Sequence, residues 1–151
     1  MEKHPICIPK TLRFCEKLIS FKYNPKQHHY NCKKINLEEI RLQGISNVGF
    51  FNLLRVFNKL PIPKNVYGFE GAYESWIHNL KKKKKLKKYT NRKYPLGTIF
   101  FIKDKMMVMN FSKQNIIYCR KDIGVIVERK KDFLPNFLIT NICLPRDWIL
   151  T

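Results

Sequence analysis

The residues able to act as acids, nucleophiles or metal ligands are few in this chain and badly spaced for it. Metal-assisted hydrolysis or phosphoryl transfer needs clustered carboxylates. The four aspartates, Asp104, Asp122, Asp132 and Asp147, stand apart, with no D-x-D or D-x-E arrangement. Glu38-Glu39 reads as a first-turn pair facing a helix N-terminus. His28-His29-x-x-Cys32 has the local spacing that begins a zinc site. Its partners would have to be His4, Cys7 or Cys15, because nothing nearby completes four ligands. The simpler reading is no metal, with both histidines facing solvent or RNA and the cysteine buried. The five cysteines are odd in number, widely separated and free of any CxxC pair, which argues against a disulfide scaffold. Cys119 and Cys143 fall inside apolar strand patterns and read as small core residues. No GxxxxGK or GxGxxG loop is present to cradle a phosphate. The chain is expected not to be an enzyme, and to take no cofactor and no small-molecule substrate.

What it carries instead is positive charge. Thirty Lys and Arg stand against 11 Asp and Glu, a formal charge of +19 over 151 residues. Apolar residues make up 44%, with 11 Phe and 7 Tyr, so this is not a disordered basic tail. A folded body with that surplus repels itself, and a polyanion relieves it. The densest segment, LKKKKKLKKYTNRKY over residues 80–94, has no acid. It holds Lys81, Lys82, Lys83, Lys84, Lys85, Lys87 and Lys88, then Arg92 and Lys93. Like charges at helical spacing repel, so this segment is not stable as an isolated helix. Against a phosphate backbone each ammonium displaces a counterion, and Tyr89 and Tyr94 offer rings for unpaired bases. Separate patches at Lys33-Lys34, Arg120-Lys121 and Arg129-Lys130-Lys131 spread the charge over the chain. Distributed charge predicts a protein wrapped by nucleic acid. No zinc-finger, basic-zipper or clear helix-turn-helix pattern appears, nor do RNA-recognition-sheet aromatics or a GxxG loop.

These residues need elements to hold them. Pro5 and Pro9 predict an extended first ten residues. Thr11 is then placed to cap a helix with a stripe at Leu12, Phe14, Cys15, Leu18, Ile19 and Phe21. Residues 23–34 read as a loop. Asn36 and Glu39 resemble a capping box opening a short helix that Gly44 ends. Ser46 caps a further helix carrying Phe50, Leu53, Leu54 and Phe57, stopped by Pro61 and Pro63. Tyr73, Trp76, Ile77 and Leu80 form another stripe, by default core. From Thr98 the period shortens, and short β-branched and aromatic runs alternate with turn residues. The fold class expected is α+β: residues 1–80 an extended N-terminus and helical region, 81–97 a lysine-rich connector or insertion, and 98–151 a small, mostly antiparallel β-rich module. No stretch approaches 18 apolar residues, so no membrane-spanning helix is expected.

Within the β-rich part, IFFIKDKMMVMNF and KDIGVIVE resemble the αL-type RNA-binding module of small-subunit ribosomal protein four, especially its organelle-encoded forms. Asp122, Ile123, Ile126 and Glu128 fall on that family's D-[IL]-x-x-I-x-[ED] strand, and LPNFLITNICLP resembles the Pro-led strand that follows in some members. The resemblance covers residues 99–144. The turn departs from it, with Lys103-Asp104-Lys105 where the family usually has Val-Asn-Gly. The resemblance implies that Lys103, Lys105, Lys113, Arg120 and Lys121, gathered near one edge of the sheet, contact folded rRNA. Composition points the same way. Phe, Tyr, Met, Ile, Asn and Lys, the residues of AT-rich codons, number 75, against 22 Gly, Ala, Arg and Pro. The resulting expectation is a structural constituent of a mitochondrial ribosome, more so of its small subunit, touching rRNA and neighbouring ribosomal proteins. The start of the chain lacks a signal-peptide or import pattern, which suits a gene inside the organelle. Two alternatives remain open from the residues: an accessory transcription or replication protein of an AT-rich virus or parasite, viral or cytoplasmic in location, and a basic protein-binding module anchored by Tyr73, Trp76 and Leu80.

Overall fold

The structure, a computed structural model, describes residues 4–30, 32–63 and 72–149. The element order is α1 (His4–Leu18), α2 (Leu37–Gln43), α3 (Asn47–Phe57), α4 (Tyr73–Lys82), β1 (Lys87–Lys88), β2 (Ile99–Ile102), β3 (Met106–Asn110), β4 (Asn115–Arg120), β5 (Gly124–Arg129), α5 (Lys130–Phe133), a 3₁₀ turn (Leu134–Asn136), β6 (Ile139–Cys143) and α6 (Pro145–Ile149). This is the α+β arrangement expected, with helices leading and strands following.

Local chemistry sets the helix ends. Asn36 accepts the N–H of Glu39 at 3.1 Å to open α2. Gly44, at φ +85°, turns the chain out of it where a side chain would be strained. Ser46 Oγ accepts the N–H of Gly49 at 2.9 Å to open α3. Buried residues cover most of the circumference of α3, which makes it the central helix. Its two buried polar side chains are satisfied. Asn52 accepts from Trp76 Nε1 at 2.8 Å and donates to His28 O at 2.8 Å. Arg55 donates to Pro61 O at 2.9 Å and to Trp148 O at 2.6 Å, and burial lowers its pKa to about 10.

The first helix differs from expectation. It begins at His4 and runs through Pro9, where residues 4–10 were expected to be extended. Pro5 sits in the first turn, where a missing N–H costs nothing, so only Pro9 removes a helical bond. Burial of Phe14, Cys15 and Leu18 offsets that loss. Thr11 is correspondingly no cap: it lies mid-helix, buried, and accepts from Asn58 Nδ2 at 3.0 Å.

The strands form one antiparallel sheet in the order β1-β6-β2-β3-β4-β5. One face, with Ile99, Phe101, Met107, Met109, Ile117, Cys119, Val125 and Cys143, packs on the helices through Phe50, Phe51, Leu54 and Trp76. The other, with Phe100, Ile102, Val108, Ile116, Tyr118 and Ile142, carries a second core completed by Phe133 and, half-buried, Tyr89, Tyr94 and Phe137. Burial on both faces explains why the strands read as continuous apolar runs and not as alternation. The helical half is joined to the sheet by Asn47. Its amide donates to Met107 O and Cys119 O, both at 3.0 Å, and accepts from Met107 N at 2.8 Å. It bridges β3 and β4 beyond the stretch, Met109 with Ile117 and Asn110 with Ile116, where those strands pair directly.

The lysine-rich stretch is built into this fold. Lys81 and Lys82 end α4, where cations suit the carbonyl end of the helix. Lys84 turns back at φ +58°, and Lys85 N bonds Leu80 O at 2.8 Å. Lys87 and Lys88 then pair with Ile142 and Asn141 as a two-residue edge strand. Exposed lysines on a short edge strand discourage pairing with another chain, a structural reason for those two.

Candidate nucleic-acid interface

Strand direction sorts the predicted basic residues onto two ends of the sheet. The β2–β3 and β4–β5 turns lie at one end, and the β3–β4 turn lies at the other beside the start of α5. Lys103, Lys105, Arg120 and Lys121 share the first end. Lys113 joins Arg129 and Lys130 at the second, correcting the expectation that it gathers with the other four. In an antiparallel meander successive turns alternate between ends, so adjacency in sequence misleads. The first end is partly neutralised: Lys105 Nζ lies 3.1 Å from Glu74 Oε2, and Arg120 Nη1 3.9 Å from Glu128 Oε1. At the second end, among the described residues, no carboxylate forms an ion pair with Arg92, Lys93, Lys113, Arg129, Lys130 or Lys131.

Two hollows open there. The first, of about 390 Å³, is walled by Tyr89, Tyr94, Phe100, Leu134 and Ile139 and rimmed by Arg92, Lys93, Lys113 and Lys130. Its rings are held in place. Tyr89 and Tyr94 lie 6.0 Å apart at 31°, and each meets Phe100 edge-on, at 6.3 and 5.8 Å. The Tyr94 hydroxyl donates to Thr90 O at 3.0 Å and accepts from Thr90 N at 2.9 Å. Burial raises the phenol pKa, but these bonds and the Arg92 guanidinium, 4.8 Å over the ring, together bring it below the ordinary value. Asn110, buried on the sheet, donates to Tyr94 O at 2.8 Å and to Pro95 O at 3.1 Å, and its Oδ1 has no partner. The second hollow, about 440 Å³, is lined by Lys113, Gln114, Arg129, Lys130 and Lys131. Lys130 is fixed by its N–H to Gln114 O at 2.8 Å and its Nζ to Lys113 O at 3.0 Å. Burial lowers its pKa, the mark of an ammonium partly stripped of water.

The other predicted residues lie elsewhere. Lys33 and Lys34 line a separate hollow that also contains Glu39, beside α2. Lys81, Lys82, Lys83 and Lys84 are exposed at the end of α4, and Lys85 reaches Asp147 at 3.5 Å. His29 is buried and bonds Gly44 O through Nε2 at 2.8 Å, which corrects the expectation that it faces solvent or RNA. His28 is half-buried with Nδ1 on Ser46 Oγ, and Cys32, expected buried, is only partly so, its Sγ donating to Lys34 O at 3.3 Å. The two histidine rings tie the loop to the end of α2 and the start of α3, and burial lowers both pKa values. Among the described residues no three His, Cys, Asp or Glu side chains come together to hold a metal ion. Trp76 is buried against α3 and α6 and Leu80 is buried in the same core, which removes both as anchors for a protein partner. No described helix is long and apolar enough to cross a membrane.

Sequence reasoning missed Lys10, Arg13 and Lys17, which share a hollow with Phe14 and Phe57 on the outside of α1. Their i, i+3, i+7 spacing marks one helix face only when the helix extends back past Lys10, against which Pro5 and Pro9 argue in the sequence. It also missed Phe100 and Asn110, because nothing in a strand sequence tells which face will carry the cations. No protein-family model matches this chain, and no curated protein sequence matches it.

Proposed function

We propose that this protein binds RNA through the second end of its sheet, as a non-catalytic structural component of a ribosome. The observation that carries the reading is six cations, from the 92–93 loop, the β3–β4 turn and the β5–α5 junction, brought around two adjoining hollows, one of them aromatic-walled, with no pairing carboxylate among the described residues. Such a set has a large unsatisfied demand for anions, and RNA supplies them at regular spacing together with rings that stack on tyrosine. The exposed lysines at 81–84 add a second strip of charge. The AT-rich composition and the resemblance of residues 99–144 to the RNA-binding module of small-subunit ribosomal protein four support a mitochondrial small subunit as the assembly, with neighbouring ribosomal proteins beside the rRNA.

The test is the salt dependence of RNA affinity. Binding should weaken steeply between 50 and 200 mM salt, and each phosphate contact removed should reduce the log–log slope by about 0.7–0.9. Replacing Lys113, Arg129 and Lys131 by Gln should flatten that slope, and replacing lysines 81–84 should flatten it further. A salt-insensitive interaction, or no RNA bound at low salt, overturns the reading.

A further inference from the structure

Resting on that RNA-binding reading, we infer that the two hollows at the second end of the sheet form one site for a single unpaired nucleotide, base in the first and phosphate in the second. They share Lys113 and Lys130 as a common wall, yet their chemistry differs. The first is bounded by rings and aliphatic side chains. The second is lined by long polar side chains alone, four of them cationic. A nucleotide joins the same two chemistries, a flat apolar ring and an anion, at a fixed short separation. Bases inside a duplex are stacked on their neighbours and show only their edges, so a ring can enter only from an unpaired position.

Two further observations agree. Thr90, Arg92 and Asn110 all hold Tyr94, so its ring is oriented before anything binds. Asn110 Oδ1 is a buried acceptor without a partner on a residue that lines the first hollow, while both donors of the same amide are engaged. An amine or imino N–H on a base edge is the donor that this oxygen lacks, and burial without one is costly. The six-cation cluster explains attraction to any nucleic acid. The rings and the amide add a demand for an exposed base.

The experiment compares a ten-nucleotide single-stranded RNA with the duplex of the same strand, using the full-length chain at fixed salt. Tyr89→Leu keeps apolar packing on Phe100 but removes the stacking face. It should weaken single-strand binding about tenfold, leave duplex binding unchanged and leave the salt slope unchanged. Tyr89→Phe should retain wild-type affinity. Lys113→Gln, at an exposed turn position, should reduce the single-strand slope by about 0.7 without disturbing the fold. Equal loss on both RNA forms, or no loss on the single strand with Tyr89→Leu, overturns the inference. With a steep salt slope still present in the wild type, that result leaves general RNA binding standing. Absence of the slope removes both.

Discussion

At the scale of single residues, this protein relies on side chains that complete the backbone of elements distant in sequence. Asn47 is the plainest case, since one amide satisfies three main-chain groups on two strands. Asn47→Ala is expected to lower the unfolding free energy by about 2 kcal/mol, read from the urea midpoint at unchanged m-value, because partly buried carbonyls and an N–H lose their partner. Loss of less than 0.5 kcal/mol would mean that water replaces the amide at little cost. Gly124 works through its lack of a side chain: at φ +113°, an added Cβ would fall 2.2 Å from Phe21 O, which here accepts the N–H of Val125 at 2.9 Å. That contact lets the chain after α1 lie along the outer edge of β5.

At the scale of elements, the β2–β3 hairpin shows how a local conflict is tolerated. Its three-residue turn, Lys103-Asp104-Lys105, places Lys105 at φ +62°, where a side chain is strained. The Lys105–Glu74 pair is exposed on both sides and offsets little of that strain. Lys105→Gly is expected to raise stability by about 0.5 kcal/mol, the relieved strain less the extra freedom of an unfolded glycine. A fall in the thermal midpoint would show that the ion pair outweighs the backbone. The lysine-rich stretch is likewise divided by elements. Its first residues close α4, Lys84 and Lys85 turn the chain back, with Lys85 reaching Asp147, and Lys87 and Lys88 guard a sheet edge.

At the scale of the whole molecule, buried titratable groups make stability depend on pH in both directions. Burial holds His28 and His29 below their ordinary pKa of 6.5, so the unfolded chain takes up protons that the folded one resists. Their contribution is present above that value and is lost as pH falls through it. On the alkaline side, burial raises Cys15, Cys143 and Tyr118, and raises Cys119 from 9.0 to about 12. Stability present below pH 9 is therefore lost as pH climbs toward 12. Urea midpoints should be highest between about pH 7 and 8.5 and fall on either side. A flat profile from pH 5 to 7.5 would show that the histidine loop opens without unfolding the rest. The surplus of 19 positive charges acts at this scale too, because self-repulsion weakens the free protein and is relieved when a polyanion binds.

The residues alone determined much of the local structure. Asn36, Gly44 and Ser46 mark helix ends by hydrogen bonds within a few positions, and the change of apolar period at Thr98 announces the strands. Such signals are short-range and survive without a fold. The charge surplus was equally legible, as was its spread beyond the lysine run. What only the tertiary structure decided is which cations share a surface. Lys113 leaves Lys103 and Lys105 for Lys130, and Phe100 comes against Tyr89 and Tyr94, because antiparallel order and strand pleat bring together residues far apart in the chain. The same long-range packing carried α1 through Pro9 and buried His29. Propensity and spacing cannot report energies gained by contact with segments that the chain has yet to bring near.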